Sequence, residues 1–237
     1  MARDAAGNLY LAETARICKI DAAGNISTIA GTGIPESTGD GGPATKAQVY
    51  YASNVTLESQ GNIYFSESQL NIRRIAADGA ISTYAGHFSS GYNGEGIPAA
   101  SAQLGAAGLA VDGLDQVYFA DPGNARVRVI RRDGKVYTVA GTGIQGKAGE
   151  NGPALQAQLL SPSAIAFDAS GALYIADTER VVRVDANGIL TRIAGNPAYS
   201  RSDSGMSLRR PSVPVPLRQN SSRGTTAAPW RLPAKNP

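Results

Sequence analysis

The chain has 237 residues, 22 Lys and Arg against 19 Asp and Glu, a single Cys and a single His. Seven Lys/Arg and one Asp fall in 201–237, a local net of +6, which leaves the first 200 residues at −3 and argues against a nucleic-acid-binding face there. One cysteine permits no intramolecular disulfide, and the longest low-polarity stretch, Pro98 to Leu114, is broken by Ser101, Gln103, Asp112 and several glycines, which excludes a membrane span.

The N-terminal residues through Gly7 carry no apolar signal core. Gly7-Asn8-Leu9-Tyr10 already begins a strand of the type that is second in later units, so the first unit is expected to lack its first strand. Arg16–Ile20 reads as the next strand and holds Cys18, expected to be a buried structural thiol. After Ala23-Gly24-Asn25, a hairpin signal, the unit closes at Ala30-Gly31. Ala-Gly then returns at 85–86, 140–141 and 194–195, at steps of 55, 55 and 54. Tyr10, Tyr64, Tyr118 and Tyr174 keep the same beat, at steps of 54, 54 and 56, each inside a β-branched or aromatic cluster ending in an acid (Glu13, Glu67, Asp121, Asp177). Two anchors with one period define an internal repeat.

The third unit is the clearest. Gly108–Asp112, Gln116–Asp121, Arg126–Ile130 and Lys135–Ala140 are four short runs bounded by Gly, Asn, Asp or Pro, with Asp133-Gly134 as hairpin between the last two. Asp78-Gly79 and Asn187-Gly188 stand at the matching places. No sustained 3.6-residue apolar period predicts helix. Four antiparallel strands per unit suggest a β-propeller blade. From Tyr199 onward the composition turns to Arg, Ser and Pro, with six prolines in 201–237 and the only Trp, Trp230. This tail is expected to be disordered, and its abrupt change of composition is consistent with a shifted reading frame; a basic arm for nucleic acid or membrane is the other reading.

Ala-Gly-Thr-Gly, then Gly39-Asp-Gly-Gly-Pro-Ala44 and Gln48, then Gly-Asn-Leu-Tyr, resembles bacterial NHL-repeat proteins. Copies at Gly94–Ala99 and Gly149–Ala154, each followed by Ala-Gln, extend the resemblance over roughly 7–196. It implies an all-β fold: a partial (open) NHL-type β-propeller of about four blades, with units at about 7–33, 49–86, 105–141 and 160–196. Complete propellers of this type have about six blades, so an open arc able to self-associate through its blade edges is expected. Relatives are often exported, which leaves the compartment open.

Motifs weigh against catalysis. Gly141–Lys147 fits part of a P-loop, but Ala148 stands where Ser or Thr must bind Mg²⁺, and Gly149 and Gly152-Pro153 prevent the helix that would hold phosphate. With one His (His87) and one Cys in different units, neither a zinc site nor a Ser-His-Asp set is expected. No catalytic residue, metal or cofactor is therefore expected. The recurrent acids read as turn caps. A calcium-dependent lactonase or lyase of related six-bladed shape is the alternative, with Asn93, Glu95, Glu150 and Asn151 as its candidate ligands; RNA binding is disfavoured by the acidic repeats.

Blade topology puts the links 31–48, 86–103 and 141–158 on one face with the turns between second and third strands. Candidate binding residues there are Arg16, Asn71, His87, Tyr92, Asn93, Glu95, Asn124, Arg126, Glu150 and Arg180. The expected role is a non-catalytic scaffold or binding module for a protein or glycan partner.

Overall fold

The computed structural model describes residues 1–195, and the expectation of a disordered tail over 201–237 lies outside them. The sheets appear in chain order. Blade I contains β1 (Ala2–Arg3), β2 (Leu9–Glu13), β3 (Arg16–Ile20) and β4 (Ile26–Ala30); blade II contains β5 (Ala52–Leu57), β6 (Ile63–Glu67), β7 (Asn71–Ile75) and β8 (Ile81–Gly86). Blade III joins β9 (Ile97–Pro98) to β10 (Gly108–Val111), β11 (Val117–Asp121), β12 (Arg126–Ile130) and β13 (Lys135–Ala140). Blade IV joins β14 (Gly152–Pro153) to β15 (Pro162–Phe167), β16 (Leu173–Asp177), β17 (Arg180–Val184) and β18 (Ile189–Ala194). All pairings between these strands are antiparallel. The only helical turns among the described residues are four three-residue 3-10 segments.

The first blade does have a first strand, contrary to expectation. Ala2 pairs with Tyr10 and Arg3 with Leu9. Asp4 makes this possible: its carboxylate accepts the Asn8 amide at 2.9 Å and the Tyr10 hydroxyl at 3.1 Å, fixing a tight turn after only two paired residues. Every blade repeats the device six residues before its tyrosine. Glu58 accepts from Tyr64 at 3.3 Å and Asp168 from Tyr174 at 3.1 Å. Burial pushes the Tyr118 phenol up to about 12, with the Asp112 carboxylate adding to it.

The links do more than connect. After each Pro of the Gly-rich element (Pro43, Pro98, Pro153) a 3-10 turn buries two alanines three apart: Ala44 and Ala47, Ala99 and Ala102, Ala154 and Ala157. Their carbonyls hold the strand exits, with Gly31 donating to Ala44 and Thr32 to Ala47 at 3.0 Å, and Gly141 to Ala154 at 2.9 Å. Gly141 cannot be another residue here: its φ is +95° and a Cβ would lie 2.3 Å from the Ala125 carbonyl oxygen. The prolines sit where the link runs along the outer strand of the next blade, as β9 on β13 and β14 on β18.

Three apolar clusters lie between consecutive blades. Tyr10, Ile17 and Ala30 of blade I meet Val55, Ile63 and Phe65 of blade II; Tyr64 and Ile72 meet Val117, Phe119 and Ile130; Val127 and Ala140 meet Leu173, Ile175 and Val182. A bulge recurs at the same place in every blade, where the register of the third and fourth strands shifts at Ile17/Cys18, Ile72/Arg73, Val127/Arg128 and Val181/Val182. A bulge re-aims the side chains on either side of it.

Candidate functional site

The acid ending the second strand of blades II to IV is fully buried and anchors the link arriving from the preceding blade. Glu67 accepts the Tyr50 amide at 3.1 Å and the Ser37 hydroxyl at 2.5 Å. Asp121 accepts the Gly105 amide at 3.1 Å, and Asp177 the Leu160 and Ser161 amides, both at 2.8 Å. The amides belong to the incoming link, not to the following turn that the sequence suggests. Glu13, the matching acid of blade I, is exposed.

An arginine completes each cluster. Arg73 and Arg128 occupy the bulge position of the third strand and are essentially sealed from solvent. Arg73 meets Glu67 at 3.2 Å and Asp40 at 2.6 Å, and also donates to the carbonyls of Gln48 and Thr38. Arg128 lies 3.4 Å from Asp121 and donates to the carbonyls of Gln103 and Gly94. In blade IV the bulge position is Val182, and Arg180 from the start of the strand swings in instead. It contacts Asp177 at 2.9 Å and Glu150 at 2.7 Å, and donates to the carbonyls of Gln158, Gly146 and Lys147. The last two carbonyls lie in the P-loop-like stretch, which therefore wraps a buried cation. Burial pushes the Glu67 and Asp121 carboxyls up despite their arginines, because removal from water outweighs the pairing.

The candidate residues fall into separate groups, one in each blade. The largest lies in blade III. The Tyr92 ring packs under the Arg126 guanidinium at 4.0 Å and its hydroxyl donates to Glu95 at 2.7 Å. Glu95 accepts the Thr138 amide at 2.6 Å; burial works to raise its carboxyl, but the hydrogen bonds from Thr138 and Tyr92 hold it below the ordinary value. Asn93 bridges the Ser101 carbonyl and the Gln103 amide, and Asn124 bridges the Gly91 carbonyl and Asp121. Glu150 and Arg180 form the blade IV group. Asn71 is buried and accepts the Phe88 amide at 2.8 Å; His87 beside it is exposed, as is Arg16 in blade I. Among the described residues no hydrogen bond, ion pair or ring contact joins one group to the next. No three His, Cys, Asp or Glu side chains converge there as a metal site would require.

These polar groups hold the links in place, and beside exposed polar residues the links display apolar ones. Ile34, Tyr51, Phe88 and Ile144 stand 50%, 53%, 45% and 63% exposed on or beside them. Sequence reasoning passed over all four. Phe88 has a readable cause. Gly33 and Gly143 occupy its position in the neighbouring links, where a Cβ would strike the guanidinium of Arg16 or Arg126. Blade II has Asn71 in place of that arginine, so a phenylalanine fits, at φ +59°. Tyr51 is also left-handed, at φ +46°, and packs edge-on against Tyr50 with centroids 4.7 Å apart. Beside Tyr51, a depression of about 420 Å³ is lined by Thr14, Ala52, Ser53, Ser68 and Gln69 from blades I and II.

The sequence model of the teneurin NHL domain matches residues 142–209. Teneurin-3 of Danio rerio is 30% identical over 199 residues, covering 73% of this chain and 7% of that protein. Teneurin-1 of Gallus gallus is 30% identical over 226 residues, covering 81% of this chain and 8% of that protein. The chain thus spans less than a tenth of the teneurins it resembles. Among solved structures, a streptogramin B lyase superposes with TM-score 0.55 at 15% identity, over 84% of this chain and 54% of that one. A protein of unknown function from Bacteroides thetaiotaomicron superposes with TM-score 0.59 at 22% identity, over 74% of this chain and 43% of that one. At such identities the likeness is one of fold, and the fold is of β-propeller type. NHL character is supported; the bacterial part of the resemblance is not, because the sequence relatives are animal teneurins.

Proposed function

We propose that the chain is a non-catalytic NHL-type binding module whose link face engages a protein or glycan partner. One observation carries this: a rigid, hydrogen-bonded frame holds Ile34, Tyr51, Phe88 and Ile144 out in solvent. A phenylalanine and a tyrosine in left-handed backbone cost on the order of 1–3 kcal/mol each, a strain concentrated at functional positions. Exposed aromatics on a preordered surface bind with little further loss of freedom. Of the ten candidate residues, Arg16, His87, Tyr92, Asn93 and Glu95 are exposed and able to touch a partner directly; the buried Asn71 and Arg180 act by fixing the links. The lyase superposition carries only the fold, so no turnover is assigned.

The test is a glycan array and a displayed random-peptide library, each probed with the wild-type chain, with Y51S/F88S and with a variant of the opposite face, R131A/R132A. A ligand retained by R131A/R132A and lost by Y51S/F88S supports the reading. No ligand from either source, or none whose binding Y51S/F88S abolishes, contradicts it.

A further inference from the structure

In a repeat protein, what recurs is scaffold, and departures from the repeat mark what one unit does alone. Several departures converge on the cleft between blades II and III, at the end opposite the links. The bulged residue of the fourth strand is Ile29, Val139 or Ile193 in the other blades and Tyr84 in blade II. Directly after the third strand the other blades have Asp21-Ala22, Ala76-Ala77 and Asp185-Ala186, and blade III has Arg131-Arg132. The last residue of the first strand is Phe167 in blade IV, where it packs edge-on against Tyr118 with centroids 4.8 Å apart, between blades III and IV. Its counterpart facing Tyr64 is the smaller Val111.

The result is an open cavity of about 440 Å³, within the size range of small-molecule sites. Tyr64 and Tyr84 form one wall, with ring centroids 4.8 Å apart and planes at 59°. Arg74 lies on the same wall and Arg131 and Arg132 face it from blade III. None of these three arginines has a carboxylate within ion-pair distance among the described residues, whereas the buried Arg73, Arg128 and Arg180 all do. Arg74 donates only to the Asn62 side chain at 3.0 Å, and its Nε is buried without an acceptor. Arg132 reaches only the Leu114 carbonyl, and Arg131 only the face of Tyr137. The two acids of the cleft are already engaged: Glu58 by Asn62 and Tyr64, and Asp115 by the amide and hydroxyl of Ser59.

We propose that this cleft binds an acidic sugar, its carboxylate taken by Arg74, Arg131 and Arg132 and its ring laid against Tyr64 and Tyr84. Guanidinium forks match a carboxylate in two parallel hydrogen bonds. Of the remaining lining, Gln60, Asn62, Glu58 and Asp115 offer donors and acceptors suited to hydroxyls and unsuited to a lipid chain, beside Ile130 and Gly134. The site is distinct from the link face and does not depend on it.

The test is calorimetric titration of the full chain with sodium glucuronate, with glucose and acetate as probes lacking the carboxylate and the hydroxyls respectively. A Kd of about 1 mM is expected for a single sugar, with glucose and acetate at least tenfold weaker. R131A/R132A, which restores the residues of blade II, weakens glucuronate at least tenfold; Y84I, which restores blades I and IV, weakens it severalfold; Y51S/F88S leaves it unchanged. Both cleft variants are repeat-like, and their melting temperatures report whether they fold; R131Q/R132Q replaces the first if it does not. No binding up to about 50 mM, equal binding of glucose or acetate, or an affinity that the cleft variants leave untouched overturns the proposal. Loss in Y51S/F88S alone would move sugar binding to the link face and overturn it equally.

Discussion

Replacing Asp121 with alanine tests the buried clusters that hold the links. Asp121 has no exposed surface and accepts from Gly105, from Asn124 at 2.8 and 2.9 Å, and from Arg128. Its removal leaves Arg128 as a sealed cation without a carboxylate, its hydrogen bonds going to the Gln103 and Gly94 carbonyls and its guanidinium lying over the Tyr92 and Phe119 rings. Breaking a buried pair from one side costs about 3–5 kcal/mol. The carboxyl is already held above its ordinary value by burial, so the ionised form is incompletely compensated, and a loss near 3 kcal/mol, the low end of that range, is expected. For a domain of this size each kcal/mol shifts Tm by about 2–4 °C, so D121A should melt about 6–12 °C lower. Blade IV supplies the control, since it carries Val182 where Arg128 stands. The double variant D121A/R128V should lose less than the two single losses together, by more than about 0.5 kcal/mol. Scanning calorimetry reads all four proteins. A drop below about 3 °C in D121A, or strict additivity in the double variant, would refute the clusters as the fastening of the links.

Other outcomes follow from the same geometry. N71R drives a guanidinium into the space that Phe88 fills and should cost about 1–3 kcal/mol; N71R/F88G, which copies the neighbouring links, should recover most of it in a thermal melt, and no recovery would break the pairing argument. Glu67 is held above its ordinary 4.5 by burial, so its contribution to stability falls as pH rises through the raised value. The Tm gap between wild type and E67Q should therefore be narrower at pH 7 than at pH 4, and a wider gap at pH 7 contradicts the sign. Asp168 runs the other way: hydrogen bonds from Ser170, Ala172 and Tyr174 lower it from 3.8 to about 2, so its contribution is present above 3.8 and lost as pH falls toward 2. D168N should flatten the acid limb of the stability curve over that interval, and an unchanged slope would remove Asp168 from the account.

Periodicity made the blades legible, because Tyr10, Tyr64, Tyr118 and Tyr174 each need the same partner at the same turn. The partner acids were in plain view six residues earlier, yet a capping role needs a turn geometry that spacing alone does not supply. β1 escaped notice because Met-Ala-Arg carries no strand signal; Asp4 and Asn8 create the pairing. Arg73 and Arg128 were hidden inside apolar runs, since alternation cannot anticipate a bulge that turns a charged residue inward. Among the candidate site residues, Asn93, Glu95, Asn124 and Glu150 lie on the links or beside them, but spacing could not tell a group that fastens a link from one that meets a partner. Phe88 and Tyr51 carry no charge pattern to mark them, and the meaning of Phe88 depends on a contact, Asn71 in place of an arginine, that joins residues 17 apart.

If the links form a rigid display surface instead of solvated connections, their amides are held as firmly as those of the strands. Amide hydrogen exchange on the full chain tests it directly. Thr32, Tyr50, Gly105, Thr142 and Leu160 each donate to a link carbonyl or to a buried acid, and their protection should match that of β6, β11 and β16. Exchange of these amides at the rate of open loops, with the strands still protected, would contradict it.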